Sequence, residues 1–157
     1  MKGPKNWKLK ELEDRLEIVS DDSIEYETRV LKKMGIPLAD DTASTIGDYT
    51  IIDWDQMTEH YHFYFDRIKD EDFIRRSMSN SKLGKYKHLI ITYGYNEPAV
   101  KVRLSDFLDD WEGFVRSTLW ESTMFTDDYK LIMEVSKKYY LHSNFKIVDK
   151  PNLLKIE

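Results

Sequence analysis

His88-Leu89-Ile90-Ile91-Thr92-Tyr93 and Val100-Lys101-Val102-Arg103-Leu104 flank Gly94-Tyr95-Asn96-Glu97-Pro98-Ala99, and this stretch decides the fold class. Two runs rich in β-branched and aromatic residues around a loop with Gly, Asn and Pro read as a β-hairpin. Leu89, Ile90 and Ile91 offer no polar face, which suits a strand in the middle of a sheet. Val100, Val102 and Leu104 alternate with Lys101 and Arg103, so the second strand keeps one wetted face.

On the C-terminal side, Ser105 is placed to cap a helix. Phe107, Leu108, Trp111, Phe114 and Val115 form its apolar stripe, with Asp106, Asp109, Asp110 and Glu112 mostly outward. A last helix is expected from Thr126, with Asp127 and Asp128 in its first turn and Leu131, Ile132, Val135 and Tyr139 on its buried side. The stretch 141–147 reads as an edge strand. On the N-terminal side, 70–79 reads as a short helix with its acids first, matching the helix dipole. Residues 49–54 read as a strand. The aromatic-rich stretch that follows fits either helix or strand; strand is preferred for His60 to Phe65, because consecutive aromatics lose rotamer freedom in a helix. Leu9, Leu12, Leu16 and Val19 predict a helix over about 8–19, and a second helix runs from Ser23 to a stop at Gly35, together forming an N-terminal helical hairpin. Residues 38–48 have loop composition and are expected to be mobile, and 1–7 and 150–157 are expected to fray. The fold class is therefore α+β: one domain over 1–157, an antiparallel sheet of about four strands, and helices mainly on one face.

With 157 residues, 41% hydrophobic and 34% charged, the chain has the composition of an ordinary soluble globular domain able to bury a core. It has no cysteine, which removes disulfides, thiol catalysis and Cys-ligated metal centres and fits a reducing compartment. No apolar run approaches the roughly 20 residues of a membrane span, and no apolar segment follows the first charges, so a cytoplasmic protein is expected. A net charge of −5 argues against general affinity for nucleic acid.

Three groups of residues bear on function. Arg75, Arg76, Lys82, Lys85 and Lys87 lie in 73–88, a run with no acidic residue, and offer contacts for an anion or a partner. His60 and His62 share a face if they lie in a strand, so both imidazoles can reach one metal ion, with Tyr64 and Asp66 continuing that face. Asp106, Asp109, Asp110 and Glu112 form an acidic helix stripe suited to a basic protein surface. No P-loop, no Gly-rich dinucleotide motif and no nucleophile motif is present, and no cofactor is expected. The leading expectation is a non-enzymatic, acidic protein-binding module, in one form an inhibitor or immunity-type protein that blocks a basic toxin or nuclease. The alternatives are a small metal-dependent enzyme using the His-x-His pair and a nucleic-acid binder using 73–88.

Overall fold

The computed structural model describes residues 3–39, 50–66, 68–93, 97–118, 122–136 and 139–147. In chain order the elements are α1 (Trp7–Glu11), β1 (Glu17–Ser20), α2 (Ser23–Lys33), β2 (Tyr61–Tyr64), α3 (Glu71–Asn80), β3 (His88–Thr92), β4 (Ala99–Arg103), α4 (Leu104–Asp109), α5 (Trp111–Arg116), β5 (Ser122–Phe125), β6 (Ile132–Val135) and β7 (Tyr140–Ser143). Short 3-10 turns occupy Trp54–Gln56 and Lys82–Lys85. No described helix is long and apolar enough to cross a membrane.

The hairpin forms as its residues require, with Leu89 opposite Val102 and Ile91 opposite Val100. It sits inside one antiparallel sheet of seven strands, ordered β1-β4-β3-β5-β6-β7-β2. This corrects the expectation of about four strands. The N-terminal helical hairpin is also overturned, because β1 separates α1 from α2 and pairs with β4 through Glu17–Lys101 and Ile18–Val100. Asn6 starts α1 by accepting from the Lys8 and Leu9 amides, and its helix stops at Glu11. Ile18 then packs on one face of the sheet and Val19 on the other, a strand-like alternation. The amides of Lys5 and Asn6 donate to the Glu97 carboxylate, so the end of the chain is tied down from there. The expected fraying of 150–157 and most of the expected mobile loop lie outside the described residues.

The expected last helix is instead the β5–β6–β7 meander. The residues that suggested a helix cap build a turn. Thr126 and Asp128 bond each other at 2.7 Å, and Asp128 and Thr126 accept the Lys130 and Leu131 amides. Asp and Thr make the same short-range bonds in turns as at helix starts, so the signal does not separate the two. Tyr129 and Tyr139 take positive φ, 59° and 63°, at the corners before β6 and before β7. The segment 141–147 contains a strand, but β7 lies between β6 and β2 rather than at an edge.

Four of the five helices lie on one face of the sheet, and α2 with 50–57 covers the other. Leu89, Ile91, Val100, Val102, Met124, Met133 and Leu141 point to the side of α1, α3, α4 and α5. Ile90, Ala99, Phe125 and Ile132 point to the other side, against Tyr26, Val30 and Leu31 of α2 and against Ile52 and Trp54. The single helix expected over 105–117 is two, α4 and α5, broken at Asp110, whose carboxylate accepts the Gly113 amide at 3.2 Å. A Cβ on Gly113 would lie 2.2 Å from that carboxylate, so a larger residue there has to displace the Asp110 side chain that caps α5 and pairs with Lys8. Gly35 ends α2 at φ 70°, as its position after the apolar stripe implies.

Phe125 is fully buried in the middle of the α2 side of the sheet. Phe125→Ala is expected to cost about 3–5 kcal/mol of unfolding free energy in urea titration. A value near that of an exposed substitution would show that this face is not packed.

Candidate functional site: a polar row leading to the sheet edge

On the α2 side of the sheet the strand registers place unlike residues in one line. Thr92 lies opposite Thr123, Thr123 opposite Glu134, Glu134 opposite His142, and His142 opposite His62. Side chains directly opposite across an antiparallel pair share a face, so these form a polar row through an apolar layer. Each end of the row receives something from outside the sheet. At one end, Thr92 Oγ1 donates to Glu27 of α2 at 3.0 Å. Nearer the other end, Glu134 accepts from the amides of Ile51 (2.7 Å) and Ile52 (3.3 Å) and from the indole Nε1 of Trp54 (2.9 Å).

Burial dominates the ionisation of both carboxyl groups. Glu134 is pushed up to about 8 by its removal from water, against the opposing pull of its three N–H donors. Glu27 is raised for the same reason, against the Thr123 and Thr92 hydroxyls. Trp54 stacks on His60 and His142, with ring centroids 5.0 and 5.6 Å away. His60 Nε2 and His142 Nδ1 share a hydrogen bond of 3.1 Å. Burial, with His142 and His62 alongside, lowers His60 to about 4, and burial also lowers His62 despite nearby Asp55.

The two histidines singled out by sequence therefore do meet on one face, 5.1 Å apart. The structure adds His142, fully buried on β7, which a lone histidine near the chain end did not announce. The ring nitrogens of His60 and His142 that face each other are engaged with one another. Among the described residues no group of three or more His, Cys, Asp or Glu side chains is arranged to hold a metal ion. Asp66, expected to continue the face, accepts the Ile68 and Lys69 amides.

Around this stack lies a feature that sequence reading passed over. From 50 to 66 the chain has Asp53, Asp55, Glu59 and Asp66 but no Lys or Arg. Asp55, Glu59 and His62 are exposed, and Tyr61 and Tyr64 are half-buried beside them. Glu59 accepts from the Tyr61 hydroxyl at 2.9 Å and Asp53 from Gln56, but none of Asp53, Asp55 and Glu59 forms an ion pair with a described residue.

The acidic helix stripe has a different character. Asp106, 14% exposed, lies between Arg15 (3.2 Å) and Arg103 (3.4 Å). Asp110 caps α5 and holds Lys8 at 2.7 Å. Burial opposes the charge on Lys8, yet its bonds to Asp110 and Glu11 raise its pKa. Glu112 pairs with Arg116 at 2.9 Å. Asp109 is the exposed member, with no ion pair among the described residues.

The basic run divides likewise. Arg75 is occupied by Glu71, by Asp72 and by the Leu108 and Asp109 carbonyls, and so clamps α3 to α4. Arg76, Lys82, Lys85 and Lys87 are exposed and make no ion pair with a described residue. The two tyrosines suggested as stacking platforms are committed elsewhere. Tyr86 donates to Asp128 at 2.7 Å, and buried Tyr93 donates to the Phe114 carbonyl at 3.3 Å.

The shifted groups make stability depend on pH in opposite senses. His60 lies at about 4 when folded against an ordinary 6.5, so its share of stability is present above 6.5 and lost as pH falls towards 4. Glu134 lies at about 8 against an ordinary 4.5, so its share is present below 4.5 and lost as pH rises through 8. Urea midpoints across pH are expected to lose part of the acid-side decline in His60→Gln and part of the alkaline-side decline in Glu134→Gln. No protein-family model matches this chain, and no curated protein matches it.

Proposed function

We propose that this chain is a protein-binding module that docks a basic partner surface on the segment 50–66. The observation that carries the reading is the contrast between two acidic surfaces. Three of the four stripe carboxylates are neutralised within the molecule, whereas Asp53, Asp55 and Glu59 meet no described cation. Carboxylates without an internal ion pair can attract a basic protein without first breaking one. The adjoining Tyr61, His62 and Tyr64 rings supply contact area of the kind that anchors interfaces, on a segment held to the sheet by Glu134. An inhibitor or immunity-type protein covering the basic active site of a toxin or nuclease is one specific form of this reading. Such a protein needs shape and charge, and no reaction of its own.

A second reading is a contact with polyanions through Arg76, Lys82, Lys85 and Lys87, favoured by their exposure and their lack of ion pairs with described residues. A gel shift at two salt concentrations, repeated with Lys82→Glu and Lys85→Glu, decides it.

For the leading reading, a partner is first captured on the immobilised chain and identified, and its association is then measured at several salt concentrations. Asp55→Lys with Glu59→Lys is expected to slow association by about tenfold or more at low salt and to flatten its salt dependence. Asp109→Lys, on the helix stripe, separates the two acidic surfaces. If it slows association and the other pair of changes does not, docking belongs to the stripe and not to 50–66.

A further inference from the structure

The face of the sheet covered by α2 and by 50–57 is divided in charge. α2 has an acid, Glu25, in its first turn, but 28–33 carries Arg29, Lys32 and Lys33 and no carboxylate. All three cations are exposed, and none forms an ion pair with a described residue. Two of them are steadied by rings. The Arg29 guanidinium lies over Tyr26 at 5.3 Å and the Lys33 ammonium over Tyr129 at 5.7 Å, and the two tyrosine hydroxyls share a hydrogen bond of 2.8 Å. Cations seated on rings lose less freedom on meeting a partner than cations on free stems.

The carboxylates of Asp53, Asp55 and Glu59 belong to the other half of this face. α2 packs over β3 and β4, whereas 50–57 is bound to Glu134 of β6 and, through Trp54, to His142 of β7. With neighbouring strands about 4.8 Å apart, the two charged groups are centred roughly 10–20 Å from each other. That exceeds the screening length of ~8 Å at physiological salt, so they neutralise each other little within one molecule. Between them the chain after α2 is joined to 50–57: Leu38 bridges to Ile52, and the Asp53 amide donates to the Pro37 carbonyl at 2.9 Å. Ile52 is fully buried there, but Ile51 and Leu38 are each 46% exposed. Exposed apolar groups with cations on one flank and carboxylates on the other match themselves under a two-fold rotation.

We propose that this face pairs with a second copy of the same chain about a two-fold axis near Ile51, so that Arg29, Lys32 and Lys33 of each copy meet Asp53, Asp55 and Glu59 of the other. The proposal rests on the protein-binding reading above and names the basic partner surface as α2. In a two-fold contact every interaction occurs twice, so charge pairs that are weak singly add up. The net charge of −5 on each copy opposes pairing, but salt screens that repulsion between whole molecules more than it screens groups in contact.

The test follows the full chain by sedimentation velocity from micromolar to millimolar concentration, at low and at physiological salt. A monomer–dimer equilibrium that weakens as salt rises is expected. Arg29→Glu with Lys33→Glu is expected to raise the dissociation constant by about tenfold or more, and so is Asp55→Lys with Glu59→Lys. The second pair of changes makes the chain less acidic, so net repulsion alone would tighten the dimer; a weaker dimer identifies local contact. Mixed in equal amounts, the two variants present opposite charges on both flanks. They are expected to pair with each other within about threefold of the unaltered chain. All four positions are exposed, and urea midpoints show whether each variant is folded. Should one fold poorly, the salt dependence of the unaltered chain and Ile51→Glu, expected to weaken the dimer by about tenfold, carry the test.

A monomer at every concentration overturns the pairing. So does a dimer indifferent to both sets of changes, a mixture that stays monomeric, or assembly beyond two copies. A monomer that still binds a captured partner through Asp55 and Glu59 overturns self-pairing alone. A monomer whose partner ignores those residues overturns the reading beneath it as well.

Discussion

One buried carboxyl group connects the centre of the sheet to everything at its far edge. Glu134 stands in the middle of β6 and takes three N–H donors from 51–54. A buried polar group without partners costs several kcal/mol, so this set of bonds permits the group to be there and fixes the chain that supplies them. α2 covers the β3 and β4 end of the sheet, and 50–57 covers the β6 and β7 end. Trp54 then lies flat against His60 and His142, and that stack sets the direction from which the chain enters β2. Without Glu134, half of one face would lose its cover and the edge strand its approach.

The distribution of charge follows from the same division of labour. Helices on the opposite side of the sheet hold one another with ion pairs: Lys8 with Asp110 joins α1 to α5, and Arg15 with Asp106 reaches α4. These pairs lie beside the apolar contacts of Leu9, Phe107, Trp111 and Phe114 that pack the same short helices. The segment 50–64 is fastened by backbone and ring contacts instead, and Asp53, Asp55 and Glu59 in it form no ion pair with a described residue. Exposed ion pairs contribute little on average, but partly buried ones such as that of Lys8 leave a costly unpaired charge when one partner is removed.

Much of this was legible in the sequence where a segment faces two environments. β4, α2 and α3 show their buried face as a period, because one side of each meets water, and β3 is marked by its apolar run beside the hairpin loop. β6 does not. Every described residue from 131 to 136 is buried, so apolar residues fall at helical and strand spacings alike, and periodicity carries no information. The Thr126 and Asp128 cap signal then tipped the reading to helix, since those side chains bond amides in either setting. At the other end, Leu16 and Val19 fit a helical stripe although Ile18 pairs with Val100 of β4, 82 positions away, a contact that local pattern cannot show. The rings of His60 and His62 lie 5.1 Å apart, but His142, Trp54 and Glu134 reach the pair from three separate segments. Sequence spacing could not bring them together.

The order of strands in space differs from their order in the chain, and this bears on how the molecule assembles. β3, β4, β5, β6 and β7 all come from 88–143, and every pairing among them except β3 with β5 joins consecutive strands. Both outermost strands come from the first 64 residues. The middle can therefore close through local contacts, while each border strand has to find a partner made later by the ribosome. Synthesis thus leaves the amino-terminal part waiting for its template, and the two borders are the last pieces to join and the first to open.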